Sequence, residues 1–128
     1  MVIATIGKEG YKTDLTVASH LIVADEPEEL GGTNLGPAPG EFLMTSLAAC
    51  TAITLRMYAN RKGWPVESIR VEIDFEKIDN KTIFKREISF VGDLTDDHRA
   101  RLLQIANACP VHKTLTNPIE IQTNLVGG

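Results

Sequence analysis

Cysteine is scarce in this sequence, with Cys50 and Cys109 its only two. No block of one charge is present, and neither a secretory leader nor a membrane-length apolar run is expected. The opening stretch MVIATIGKEGYK has no basic region followed by an apolar segment and a small-residue cleavage site, so a cytoplasmic location is expected. The longest uncharged apolar stretch, Phe42 to Leu55, falls short of the roughly 20 residues that span a bilayer and is interrupted by Thr45, Ser46, Thr51 and Thr54, so it reads as a buried soluble helix. The 13 basic and 17 acidic residues give a net charge of −4 with neither sign gathered into a run, which argues against nucleic acid and against a membrane as partners. The reducing cytoplasm disfavours a permanent structural disulfide, leaving the cysteines as inert core thiols or as a redox-active pair. No internal repeat or low-complexity tract is present.

The 128 residues suffice for one domain, 1–128, with one core. Short apolar runs at Val2 to Ile6, Leu15 to Val17 and Leu21 to Val23, broken by Gly7, Gly10 and the acidic DEPEE turn, predict an N-terminal meander. The GGTNLGPAPG segment, residues 31–40, is too rich in Gly and Pro for regular structure and reads as an ordered loop or lid leading into a helix. That helix runs from Glu41 to Lys62 and stops at Gly63. Its N-terminal two thirds, FLMTSLAACTAITL, is uncharged all round, whereas a helix on the outside of a monomer shows a polar face. A sheet can cover one side. A second subunit is the economical cover for the other, so a homodimer is expected with this helix central.

Beyond Trp64-Pro65, alternation of Ile69, Val71, Ile73 and Phe75 with charged residues predicts a half-buried antiparallel strand. Asp79-Asn80-Lys81 fits a hairpin turn into a second strand, where Arg86 falls on the same side as Phe84, Ile88 and Phe90. Thr95 can cap a helix from Asp96 to about Ala108, Pro110 opens a further turn, and Ile119, Ile121, Thr123 and Leu125 alternate as a final strand. Cys50 shares a helical stripe with Leu43, Leu47, Ile53 and Met57 and by itself reads as a packed thiol. Cys109 precedes Pro110 and a helical turn whose amides favour a thiolate. Cys50, Cys109 and His112 fall short of a four-ligand zinc site, and the glycine-rich loop lacks phosphate-loop spacing, so neither metal nor cofactor is expected. His20 is placed at a strand end and His98 in a first helical turn.

The succession GGTNLGPAPGEFLMTSLAACTAITLRMYANRKGW, FKREISFVGDL and RLLQIANACPVHKTL resembles the OsmC/Ohr family, the osmotically induced and organic hydroperoxide resistance proteins, from about Asp25 onward. The resemblance implies an α+β, OsmC-like two-layer fold, antiparallel sheets around a long central helix in an intertwined homodimer. It also implies a thiol-dependent peroxidase, in which Cys50 attacks an organic hydroperoxide, Cys109 resolves the sulfenic acid as an intramolecular disulfide, and a dithiol reductant of lipoyl type restores the pair.

In that family the reactive thiolate is usually accompanied by an arginine from the N-terminal strands and a glutamate ten residues before the cysteine. Here no arginine precedes Arg56, and position 40 is Gly, with Glu41 nine residues before Cys50. Glu41 is therefore a candidate site carboxylate, or simply an acidic residue complementing a helix N-terminus. Arg86 is a candidate activating cation, or an arginine reaching past the sheet margin to water. His112 is the other candidate cation, while Arg56 and Arg61 are expected to reach solvent or a partner subunit. A second functional reading keeps the fold but only binds a ligand or senses redox state, without efficient turnover.

Overall fold

Short apolar runs form the first three strands in the computed structural model, which describes residues 1–127: β1 (Val2–Ile6), β2 (Thr13–Val17) and β3 (His20–Ala24), the first two joined by a connection that holds Gly7 and Gly10. They make an antiparallel meander in which Val2 faces Val17 and Leu15 faces Ile22. Ala18, in the tight β2–β3 turn, takes a left-handed φ of 53°. The chain divides into two compact units, Met1–Thr45 and Ser46 onward, with the division inside the long helix α1 (Pro39–Lys62).

Within the first unit the glycine-rich segment is held by Asp25, which is 2% exposed. Its carboxylate accepts hydrogen bonds from the Thr33 hydroxyl at 2.6 Å and from the backbone N–H groups of Glu26 and Leu35 at 2.7 and 3.1 Å. The Thr33 hydroxyl, helped by these amides against the opposing effect of burial, pulls the Asp25 pKa down to about 2. A Cβ at Gly32 would collide with the Glu26 carbonyl, and one at Gly36 with that of Val23, so both positions admit only glycine. The loop is ordered, as its composition predicts.

In the second unit α1 ends at Lys62 because Gly63 adopts φ 69° and closes the end: Gly63 N–H donates to Asn60 O, and Trp64 N–H to Ala59 O. β4 (Val66–Ile78) and β5 (Lys81–Gly92) then pair as a long hairpin, Val71 against Ile88 and Ile73 against Arg86. Asp79 and Asn80 both take left-handed φ, 50° and 61°, the two-residue turn whose twist matches that of the strands it joins. Helix α2 (Asp96–Ala106) starts at Thr95, whose side chain accepts from His98 N–H while the His98 ring accepts from Thr95 N–H. Trp64 stacks on that His98 ring at 4.3 Å. Helix α3 (Pro110–Thr116) follows directly. The core joins Leu55, Tyr58 and Ala59 of α1 to Val66 and to Leu102 and Ala106 of α2, flanked by Ile69, Ile88 and Phe90.

One expectation is corrected. The alternating segment Ile119 to Leu125 is not a strand, and Ile121 is 84% exposed. A strand needs a neighbour to satisfy its N–H and C=O groups, and this segment pairs with none among the described residues. In the single chain α1 is buried on one face, through Leu47, Thr51, Leu55, Tyr58 and Ala59, while Ile53 and Met57 on another face are 55% and 67% exposed. By length and composition alone α1 would pass for a membrane span, as the core helix of a soluble protein also does.

Leu102→Ala, which empties a fully buried site, is expected to cost about 2–5 kcal/mol in urea unfolding. Thr33→Val removes the principal donor to Asp25. Because the folded pKa is depressed, this carboxylate's stabilising contribution is present above its ordinary value of 3.8 and is lost as pH falls toward about 2. The variant should therefore raise the Asp25 pKa in an NMR titration and lower stability at neutral pH.

Candidate functional site

The site grows from a break in the chain between α2 and α3. After Ala106 the helix cannot continue through Pro110, which lacks an N–H and drives the preceding residue to extended geometry, and Cys109 has φ −62° and ψ 136°. The extended backbone turns the Cys109 sulfur onto the first turn of α3, where Sγ accepts from His112 N–H at 3.4 Å in the position usually held by serine or aspartate. Cys109 is fully buried.

Cys50 sits mid-way along α1, half-buried, with Sγ 3.9 Å from the Thr54 hydroxyl one turn on. The backbone N–H of Val111 and the thiol of Cys109 also hydrogen-bond to Cys50, so two thiols far apart in sequence meet. Burial pushes the Cys50 pKa up, but the Val111 amide, the Cys109 thiol and the Thr54 hydroxyl outweigh it and the net shift is downward. Neutral donors produce this shift. The pair is asymmetric: the sulfur on α1 is the more accessible, and the one heading α3 is enclosed.

Arg86 projects from β5 toward the helices instead of reaching past the sheet margin. Its Nη1 donates to the Thr51 hydroxyl at 3.0 Å, and Nη2 donates to Asn107 Oδ1 at 3.0 Å and to His112 Nδ1 at 3.1 Å. Thr51 passes its own proton to Leu47 O at 2.7 Å. A guanidinium offers no acceptor, so Nδ1 of His112 is the unprotonated nitrogen and the ring proton lies on Nε2. Burial and then the Arg86 charge push the His112 pKa down. His112 is thus a neutral ring, and the cation here is Arg86. A cavity of about 520 Å³ opens beside this cluster, walled by Leu47, Phe84, Arg86, Ile88, Leu103 and His112 among others.

Glu41 lies in the first unit, where its carboxylate accepts from Ala38 N–H at 2.9 Å while its own N–H donates to Ala38 O. This is the helix-start role of an acidic residue in a first turn. Arg56, expected to reach outward, instead donates to Val66 O at 2.8 Å and Glu67 O at 3.3 Å, tying α1 to the beginning of β4. Arg61 lies over the Tyr58 ring at 5.3 Å. Asn107, Thr51 and the Val111 amide were not legible as site groups. Asn107 carries no motif, and a backbone N–H leaves no mark in composition.

An α+β fold of antiparallel sheets and a long helix, with one cysteine on that helix meeting another at the head of a short one, defines a dithiol protein. The family model for OsmC-like protein matches residues 32–124, and the chain belongs to that family. Among solved structures it is similar to an OsmC-like protein from Mycoplasma pneumoniae, at 17% identity over 90% of this chain and 85% of that one with a TM-score of 0.77. It is also similar to an organic hydroperoxide resistance protein OsmC from Legionella pneumophila, at 22% identity over 91% and 88% with a TM-score of 0.61. An organic hydroperoxide resistance protein from Elizabethkingia anophelis matches at 17% identity over 93% and 89%, with a TM-score of 0.65. No curated protein matches the chain significantly in sequence.

Alkylation of Cys50 by iodoacetamide should show a pH midpoint below the ~8.5 of a free thiol. Cys109→Ala, which deletes one donor, should move that midpoint upward, and Thr54→Val should do the same by a smaller amount. An unchanged midpoint in both variants would remove these groups from the account of the low pKa.

Proposed function

We propose that this chain is a cysteine-based, thiol-dependent peroxidase that reduces organic hydroperoxides, acting as a single OsmC-like domain in a cytoplasmic homodimer. The observation that carries the reading is the pairing of Cys50, whose pKa is lowered, with the enclosed thiol of Cys109. The Cys50 thiolate attacks the distal oxygen of ROOH and the O–O bond breaks. The alkoxide takes a proton from solvent and leaves as alcohol, and the sulfur, oxidised by two electrons, is left as sulfenic acid. The Cys109 sulfur then attacks that sulfur, forming the disulfide and breaking the S–O bond, and the hydroxide that leaves takes the proton given up by the Cys109 thiol and departs as water. A dithiol of lipoyl type returns two electrons and two protons, restoring both thiols.

Arg86 is the proposed cation of the site, acting through Thr51 next to Cys50 and through His112 on α3. Glu41 is the candidate carboxylate, although its hydrogen bond to Ala38 supports the helix-start role more strongly. The homodimer is supported by apolar surface left open on α1, where Leu43, Ile53 and Met57 are each at least half exposed. One observation favours the second reading, a ligand-binding or redox-sensing protein with poor turnover. Only neutral donors lower the Cys50 pKa, with neither a guanidinium nor a carboxylate among the causes.

The test is to treat reduced protein with cumene hydroperoxide and follow peroxide loss together with the Cys50–Cys109 disulfide by mass spectrometry. Stoichiometric disulfide and sustained consumption with dihydrolipoamide are expected. Cys50→Ser should abolish consumption, and Cys109→Ser should stop the cycle at sulfenic acid. Consumption that persisted in Cys50→Ser would defeat the assignment, and one round of disulfide without turnover by any dithiol would favour the sensor.

A further inference from the structure

Helix α3 holds two successive backbone N–H groups against two sulfurs, yet little in its own makeup anchors it. Its seven residues are fewer than the roughly 12–15 that an isolated helix needs in water, and none of them is buried. Val111, His112 and Leu115 are half-buried, while Pro110, Lys113, Thr114 and Thr116 are exposed. The Thr116 hydroxyl only turns back on His112 O and Lys113 O, within the helix. Such a segment opens easily unless a directional contact ties it to its neighbours.

The His112 ring supplies that contact. Nδ1 accepts from Arg86 Nη2 at 3.1 Å, and the guanidinium is itself fixed by Asn107 at the end of α2 and by Thr51 on α1. A hydrogen bond from a charged donor is roughly twice as strong as a neutral one, which suits a single contact to this task. Three groups in a row then have settled positions. The His112 ring is pinned to β5, the His112 N–H donates to Cys109 Sγ, and the N–H before it, of Val111, donates to Cys50. Hydrogen bonds weaken steeply with misalignment, so a small pivot of α3 withdraws both amides. The ring accepts only while neutral, since an imidazolium carries a proton on each nitrogen. Arg86 also reaches Thr51, the residue after Cys50, so one guanidinium grips α1 and α3 beside the sulfur that both must serve.

We propose that His112 is a positioning residue for the cysteine pair: its ring, held by Arg86, sets α3 so that the Val111 N–H stays on Cys50 and its own N–H on Cys109. It moves no proton and touches no substrate. This role concerns how the sulfurs are presented, and it holds whether Cys50 turns over peroxides or only senses redox state.

Three variants of the reduced full chain separate the acceptor from the bulk of the ring. His112→Phe keeps a ring without an acceptor, His112→Asn places an amide oxygen near the position of Nδ1, and His112→Ala removes both. Hydrogen exchange of the Val111 amide is measured by NMR, and the pH midpoint of Cys50 alkylation by mass spectrometry of the Cys50 peptide. In His112→Phe and His112→Ala, exchange is expected to quicken about tenfold. The midpoint should rise by about half a pH unit, a roughly threefold loss of thiolate below it. His112→Asn should restore most of both, and His112→Ala decides the matter should His112→Phe fail to fold. An unchanged midpoint with unchanged Val111 exchange, or a midpoint that rises as far in His112→Asn as in the other two, overturns the proposal. None of these measurements uses a peroxide, so their outcome is distinct from that of the turnover assay.

Discussion

A guanidinium cannot be deprotonated in a protein, so wherever a strand places one away from water, its neighbours must supply acceptors. Arg86 stands on the apolar side of β5, opposite Ile73, and the second unit is arranged around that requirement. Thr51 of α1, Asn107 at the end of α2 and His112 of α3 all turn a neutral acceptor toward it. One side chain thereby ties the hairpin to three helices. It also settles the tautomer of His112 and keeps that ring uncharged, which makes Arg86 the sole cation of the cluster.

The cysteines differ because their backbones differ. Cys50 lies within a continuous helix, where N–H groups are committed to the turn before, so its hydrogen bonds come from a side chain one turn on and from another segment. Cys109 stands where Pro110 forces a new helix to begin, and its sulfur satisfies one of the amides that every helix start leaves open. The α3 amide of Val111, next in line, reaches Cys50. A short helix of seven residues thus presents successive N–H groups to both sulfurs, one half-buried and one enclosed.

Much apolar surface is left without cover by the single chain. The β1–β3 meander exposes Ile3 and Leu21, α1 exposes Ile53 and Met57, and the terminal alternating segment lies open. A helix uncharged on all sides and a strand pattern without a neighbour are two expressions of the same condition, since burial and backbone pairing both need a second surface. These are the surfaces that the proposed homodimer would cover.

Local physics was readable from the residues. The Asp79-Asn80 turn, the Thr95 cap, the Gly63 stop and the alternation of β4 each depend on neighbours within a few positions, and each lies where the sequence predicts. The presence of an out-of-place arginine in β5 was legible too, from its phase against Phe84 and Ile88. What it would bind was not, because Thr51, Asn107 and His112 come to it from 21 to 35 positions away. The meeting of Cys50 with Cys109, the capping sulfur and the fate of the final alternating segment likewise depend on which surfaces are present in space. The sequence by itself determined the hairpin turn, the Thr95 cap and the Gly63 stop, since those follow from dihedral preference and adjacent hydrogen bonds. Only the tertiary structure decided which groups share the site, because desolvation and charge act through distance and not through order along the chain.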